Sequence, residues 1–205
     1  MRDAKFATTV GTAILFALGA SAALSAPAPE DFSKMSVISL AAGPNEVDLD
    51  GDGRNELIFL TRREGVDNRK YNQISFFRAT DKADAKWQLI TLYDSKGAFV
   101  ADNVRSSEAP DCVLRDFRVL RSSAEKNAPV VIIIGEREFG QGFADTTPVR
   151  FVVYRLDKKV AAGMTTIVLR EDRVIQGKEK YCDMEKAFLS ELGVGPAKPV
   201  TDTKK

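Results

Sequence analysis

The run Val130-Val131-Ile132-Ile133-Ile134 decides the fold, because consecutive β-branched residues favour a strand that is buried on both faces. A glycine-containing segment follows from 136 to 147, and a second apolar run then extends from 149 to 156. Two such runs joined by a loop predict an antiparallel pair of strands. This pair would form the centre of a β-sheet.

Shorter strand signals lie on both sides of this pair. They cover residues 36–40, 57–62, 73–78, 87–92, 112–121 and 165–169. Alternation places Val113, Phe117 and Val119 on one face of their strand. We expect Gly43-Pro44-Asn45 to end the strand at 36–40, and we expect Trp87 to lie in the core.

One helix is predicted near the C-terminus, from residue 183 to about residue 192. Asp183 is a suitable N-cap, and Gly193 marks the C-terminal stop. The fold class is therefore mainly β, an antiparallel sandwich or bent sheet with one C-terminal helix. A β-propeller is excluded, because its blades would repeat along the sequence.

The chain divides into three predicted parts. Residues 1–25 resemble a secretory signal peptide, since Arg2 and Lys5 precede an apolar run and small residues. The alternative is a membrane anchor, but the apolar run is shorter than the about 18 residues of a span. We predict a signal peptide at 1–25, a single β-rich domain at 26–195 and a disordered tail at 196–205. The protein would be periplasmic or secreted, with no stable membrane anchor.

The segment 47–59 carries the clearest signal of a binding site. Its carboxylates alternate with other residues, two glycines lie between them, and an apolar strand follows. Such a loop directs several hard oxygens at one centre, which is typical of Ca²⁺ sites. The predicted metal ligands are Asp48, Asp50, Asp52, Glu56 and the backbone carbonyl of Arg54.

An EF-hand does not account for this loop, because its twelfth position is Phe59 where an EF-hand requires glutamate. The pattern is similar to the calcium loop of FG-GAP/VCBS-type β-repeats. The alternative is a solvated acidic turn, but closely spaced aspartates repel one another without a cation. We therefore predict Ca²⁺ as the cofactor.

Composition argues against catalysis and against a nucleic-acid partner. The chain has 30 basic and 29 acidic residues, and it contains no histidine, the commonest general base. The G-x-S-x-G and GxxxxGK[ST] motifs are also absent. We predict a non-enzymatic protein with no catalytic residues. A metal-dependent hydrolase is the least favoured alternative, since Ca²⁺ is a weak Lewis acid and the acidic loop has no base beside it.

Cys112 and Cys182 are the only cysteines. Their spacing matches no metal or redox motif, and an exported protein meets an oxidising compartment. We predict a disulfide; the alternative is a reactive or metal-binding pair.

Two further segments are candidate contact surfaces for an unknown protein, glycan or cell-envelope ligand. In 61–71, Arg62, Arg63 and Arg69 could bind a carboxylate, or the segment could be a solvated hairpin. In 136–145, Phe139 and Phe143 would mark a contact surface if exposed, or would cap the core if folded inward. Homodimerisation through an edge strand is a further alternative.

Several short motifs together resemble one family, the CarG-type carbapenem intrinsic-resistance proteins of Gram-negative bacteria. The resemblance rests on the acidic segment 47–59, Arg62-Arg63-Glu64, the stretch 112–118, the stretch 135–140 and Tyr181-Cys182-Asp183. It implies a periplasmic protein that helps a cell tolerate carbapenems without hydrolysing them. The chain departs from the family after Glu64, where an asparagine and a histidine are expected and Asn68-Arg69-Lys70 is found.

Overall fold

The computed structural model describes residues 30–64, 70–80, 86–108, 112–125, 127–142, 144–161 and 164–196. The predicted signal peptide and residues 197–205 lie outside the described residues. The strands are β1 (Met35–Val37), β2 (Gly43–Val47), β3 (Glu56–Glu64), β4 (Lys70–Ala79), β5 (Trp87–Ile90), β6 (Leu92–Tyr93), β7 (Phe99–Ala101), β8 (Val104–Arg105), β9 (Ser107–Glu108), β10 (Val113–Ser122), β11 (Val131–Arg137), β12 (Thr147–Ala161) and β13 (Met164–Tyr181). A short 3-10 helix covers Phe32–Lys34, and the α-helix α1 covers Met184–Leu192.

Within the part of the chain that the structure describes, the strands form two sheets. The larger sheet has eight strands in the order β1-β10-β11-β12-β13-β6-β7, with β9 also paired to β10. The smaller sheet has five strands in the order β2-β3-β4-β5, with β8 also paired to β4. Strands β11 and β12 pair antiparallel, as their sequences predict. The predicted class, mainly β with one helix near the C-terminus, is confirmed for the described residues.

Strand β11 is buried on both faces. Its Ile132 and Ile134 face a core shared by the two sheets, whereas Val131 and Ile133 face a second core beneath α1. The unbroken β-branched run is therefore explained by apolar packing on both sides of the larger sheet. The domain has three layers: the smaller sheet, the larger sheet and α1.

Helix α1 begins and ends at the predicted residues. The carboxylate of Asp183 accepts hydrogen bonds from the N–H groups of the first turn, and Gly193 adopts the left-handed conformation with φ of 68°. The helix lies directly on β11 at Gly135, because a Cβ there would be 2.5 Å from Met184 Cε and 2.7 Å from Phe188 Cε2. Gly135 therefore sets how closely the helix can approach the sheet.

Glu191 connects the last turn of α1 to the end of β13. Its Oε1 accepts hydrogen bonds from the backbone N–H groups of Lys178 and Glu179 and from the Tyr181 hydroxyl, each at 3.0 Å. Burial alone would raise the pKa of Glu191, but these hydrogen bonds outweigh it and hold the pKa below its ordinary value. The carboxylate form is therefore part of the native structure.

Cys112 and Cys182 form the predicted disulfide, with their Cα atoms 5.6 Å apart. The bond joins the residue before β10 to the residue before the N-cap of α1. It closes a loop of 70 residues and fixes the start of the helix to the larger sheet. None of the described helical segments has the length and hydrophobicity that crossing a membrane requires.

The residues Gly43-Pro44-Asn45 lie beyond the end of β1 at Val37, and they form the start of a further strand, β2. Strand β2 lies at the edge of its sheet, where the missing N–H of Pro44 is tolerated. The expected core position of Trp87 is wrong, because 45% of Trp87 is exposed, at the start of β5.

The predicted common face of β10 is also wrong. Phe117 and Val119 pack in the core between the sheets, whereas Val113 packs beneath α1. A bulge lies between Val113 and Arg115. Because a bulge inserts one extra residue, it reverses the alternation of side chains on its two sides.

Candidate metal centre

The acidic loop connects two neighbouring strands, since β2 ends at Val47 and β3 begins at Glu56. Gly51 and Gly53 have φ values of 78° and 87°, a region that favours glycine. A Cβ on Gly51 would also lie 2.1 Å from the carbonyl oxygen of Asn127. The two glycines therefore allow the turn of the loop, and Gly51 also allows its close contact with the segment between β10 and β11.

The loop brings three of the four predicted carboxylates together. Asp48, Asp50 and Glu56 each offer one oxygen atom, and these atoms all lie within 4.8 Å of one another. We call these three residues the acidic triad. Asp48 accepts hydrogen bonds from the N–H groups of Gly51 and Gly53 at 2.7 and 3.0 Å, which orients its carboxylate.

Asp52 does not belong to the acidic triad. Its Oδ1 accepts a hydrogen bond of 2.9 Å from the backbone N–H of Arg54, and its Oδ2 lies 3.2 Å from Nη2 of the same residue. The backbone hydrogen bond from Arg54 is the main reason why the pKa of Asp52 lies below its ordinary value. Metal coordination by Asp52 and by the Arg54 carbonyl stays a prediction.

The carboxylate of Asp50 is well shielded from solvent, with 3% of its side chain exposed. Its Oδ1 accepts a hydrogen bond from the N–H of Asp52 at 3.1 Å. Its Oδ2 is buried and accepts no well-aligned hydrogen bond from the described residues. The ammonium of Lys158, on β12, lies 2.7 Å from this oxygen and balances part of the negative charge.

The electrostatics of the acidic triad are those of crowded carboxylates. Burial is the main factor that raises the pKa of Glu56, and the charges of Asp50, Asp52 and Asp48 raise it further. The pKa of Lys158 is also raised, chiefly by its contact with Asp50. Both shifts have the direction expected where negative charge exceeds the positive charge around it. A cation at the acidic triad would relieve this excess.

The acidic loop also joins the two sheets. The N–H of Val130, next to β11, donates to the carbonyl of Leu49 at 2.9 Å. Arg121 of β10 donates from Nη2 to the carbonyl of Asp48. Leu49 itself is fully buried in the core between the sheets. A metal bound by the acidic triad would therefore stabilise the contact between the sheets.

The other predicted site residues are not gathered at the acidic triad. Arg62 and Arg63 lie in strand β3 and not on a loop, and both are exposed. Phe139 lies just beyond β11 and is 76% exposed, so it does not cap the core. Arg69 and Phe143 lie outside the described residues.

One surface was missed by the sequence analysis. Leu57, Phe59, Phe77 and Trp87 line a shallow apolar cavity of about 210 Å³ on the outer face of the smaller sheet. The signal was present, because the run 57–60 is apolar at both odd and even positions. We call these four residues the outer apolar patch.

No protein-family model and no curated protein matches the chain. Among solved structures, the crystal structure of CarG is similar to this chain, with a TM-score of 0.58 and 13% sequence identity. The similar region covers 76% of this chain and 94% of the CarG chain. At this level of identity, the likeness shows a shared fold with CarG.

Proposed function

We propose that this protein is an exported, non-enzymatic calcium-binding protein of the bacterial cell envelope. The observation that carries the proposal is the convergence of Asp48, Asp50 and Glu56, whose ligand atoms lie within 4.8 Å of one another. The buried Oδ2 of Asp50 supports it, because this oxygen already holds a positive group, the ammonium of Lys158 at 2.7 Å.

The donor set favours a hard cation. The acidic triad offers only oxygen atoms, the chain has no histidine, and both cysteines are bonded to each other. Zinc sites usually include nitrogen or sulfur ligands, whereas Ca²⁺ and Mg²⁺ take oxygen. We favour Ca²⁺ because it tolerates irregular geometry and a mixture of carboxylate and carbonyl ligands.

Three features support export and a protective role. The disulfide between Cys112 and Cys182 suits an oxidising compartment. The N-terminal sequence resembles a signal peptide. The motif resemblance to CarG-type proteins and the fold similarity to CarG support a related role. We therefore propose that the protein helps a cell tolerate carbapenems without hydrolysing them.

Thermal melting with and without calcium tests the metal site. Calcium at about 100 times its Kd should stabilise the native state by about 2.7 kcal/mol, which raises Tm by about 5–10 °C for a chain of this size. Asp50→Asn should abolish the rise. Asp94→Asn is the control, since Asp94 accepts hydrogen bonds within a separate turn and lies outside the acidic triad. A wild-type protein whose Tm is the same in EGTA and in millimolar calcium would refute the metal site.

The protective role needs a separate test. Carbapenem susceptibility should increase when the gene is deleted and should return to normal when it is restored. Purified protein should leave imipenem intact in the presence of calcium. Unchanged susceptibility would refute the protective role, and imipenem turnover would refute the non-enzymatic one.

A second candidate function is binding of a protein or glycan partner in the cell envelope. The observation that favours it is the 76% exposure of Phe139, since a large aromatic side chain in this position suits an interface. Phe139→Ala should reduce recovery of the partner from an envelope extract. Leu189→Ala, at another exposed apolar residue, is the matched control and should leave recovery unchanged.

A further inference from the structure

A cavity of about 300 Å³ lies apart from the acidic triad. Its lining includes residues of β1, β3 and β10 and one residue from the first turn of α1. Leu60 and Val119 contribute apolar surface that belongs to the core between the sheets, and Phe117 packs against the same core. The volume lies at the lower end of the range for sites that bind small molecules.

Arg118 is the polar residue that distinguishes this cavity from an ordinary surface depression. It lines the cavity although only 5% of its side chain is exposed. Its Nη1 donates to the carboxylate of Asp116 and, at 2.8 Å, to the carbonyl of Phe117. Its Nε donates to the carbonyl of Gly195 at 3.2 Å, and the guanidinium lies 4.6 Å from the ring centroid of Phe188. These contacts hold the guanidinium in one orientation.

One donor of this fixed guanidinium is left over. Nη2 of Arg118 is buried and has no hydrogen-bond acceptor among the described residues. A buried charged donor without an acceptor lowers stability, because the group has lost its water and gained no partner. An acceptor supplied by a ligand would complete the hydrogen bonding of Arg118.

A second guanidinium lines the same cavity. Arg62 is exposed, and its side chain makes no ion pair with any described residue. Three carboxylates also line the cavity, which limits how much negative charge it can accept. Asp116 is engaged by Arg118 and by the N–H of Phe117, Glu108 has another interaction, and Glu185 is exposed on α1. Arg118 and Arg62 therefore supply unused donors, and the three carboxylates disfavour ligands with several negative charges.

We propose that this cavity binds a small amphipathic molecule with a single carboxylate. The carboxylate contacts Arg118 and Arg62, and the apolar part of the ligand packs on Leu60, Phe117 and Val119. Arginine suits this task because its planar guanidinium matches carboxylate oxygens in geometry as well as charge. The inference goes beyond the function proposed above and does not depend on the metal site.

The test compares two probes of the same shape. The acid 4-phenylbutyrate and its neutral analogue 4-phenylbutanamide are titrated into ¹⁵N-labelled protein while NMR chemical shifts are recorded. A fragment of this size in a matching cavity should bind with a Kd of about 0.1–2 mM. The acid should bind at least about tenfold more tightly than the amide, and its largest shifts should map to β3 and β10 around the cavity.

Two variants and one control locate the carboxylate. Arg62→Gln should raise the Kd of the acid about tenfold and leave both the Kd of the amide and Tm unchanged. Arg118→Lys keeps a positive charge beside Asp116 but loses the guanidinium fork, and it should also weaken binding of the acid. Arg78→Gln is the control, because Arg78 lies at the opposite end of β4 from the cavity residue Asn72. If Arg118→Lys does not fold, the Kd of the acid for Arg62→Gln still tests the proposal, because Arg62 is exposed.

Several results would overturn the proposal. For the wild type, these are no saturable binding of the acid at 10 times the expected Kd, or equal affinity for the acid and the amide. Chemical-shift changes that map to the outer apolar patch would also overturn it. For Arg62→Gln, the contrary result is an affinity for the acid equal to that of the wild type. The titration is repeated in EGTA, where binding of the acid should be unchanged. If calcium leaves Tm unchanged but the acid still binds in EGTA, the result supports this cavity and refutes only the metal site.

Discussion

Substitution of Lys158 should change the stability of the metal-free protein and the calcium affinity in opposite directions. Its ammonium lies 2.7 Å from Oδ2 of Asp50; 45% of the Lys158 side chain is exposed, against 3% for Asp50. Two unit charges at this distance attract by about 6 kcal/mol at an effective dielectric constant of about 20. Solvent screening and the ordering of a half-exposed lysine reduce this value strongly, since fully exposed pairs contribute about 0.2–1 kcal/mol. For this partly buried pair we take about 2 kcal/mol.

The substitution Lys158→Met removes the ammonium and keeps a long side chain. In EGTA, Asp50 then lies beside Asp48 and Glu56 without a cation, so the free energy of unfolding should fall by about 2 kcal/mol and Tm by about 4–8 °C. In saturating calcium this difference in Tm should disappear, because the metal no longer competes with the ammonium for Asp50 and binds more tightly. The same 2 kcal/mol corresponds to a calcium Kd that is lower by about 30-fold.

Differential scanning fluorimetry during a calcium titration that starts from EGTA measures both effects. Lys34→Met is the matched control, because it breaks an ion pair with Asp31 in which both side chains are well exposed. Its Tm and calcium response should equal those of the wild type. The reasoning is refuted if Lys158→Met melts like the wild type in EGTA, or if it binds calcium more weakly.

Three other predictions concern stability. The double variant Cys112→Ser, Cys182→Ser should lose about 4 kcal/mol of unfolding free energy in urea denaturation, because the disulfide closes a loop of 70 residues. Gly135→Ala should lose about 1–3 kcal/mol by forcing α1 away from the sheet, whereas Gly195→Ala, with open space at its Cβ, should change little. Glu191→Gln should be less stable than the wild type at pH 7. A lowered pKa stabilises the native state above the ordinary value of 4.5, so this difference should shrink as pH falls below 4.5 in acid-denaturation curves.

The elements that could be predicted are those with strong local signals. The core of β11 has a β-branched run, and α1 has an N-cap at Asp183 and a glycine stop at Gly193. Strands β6, β8 and β9 were not separated or recognised, because two residues carry no measurable periodicity. Strand β13 extends to Tyr181, well beyond its apolar part, since its polar second half is held by pairing with β12. That pairing is a tertiary contact, which local propensity does not encode.

The residues of the candidate sites also divide into those with a local sequence signal and those without one. The acidic triad could be predicted because its residues lie within one loop. Lys158 could not, because it comes from β12, far along the chain, and a lone lysine in a strand carries no pattern. Arg118 lies in an alternating strand, where a single arginine carries no local signal of a binding site. Its importance comes from Gly195 and Phe188, which the C-terminal segment brings beside it.

The order of strands in the larger sheet also bears on folding kinetics. Strands β10, β11, β12 and β13 follow one another in the sequence and pair as neighbours, so each pairing closes only a short loop. Strand β1 joins β10 through the pair Met35 and Ser122, and this contact requires the closure of a far longer loop. We therefore expect the four-strand meander to assemble first, and the N-terminal strand to add to an edge that already exists.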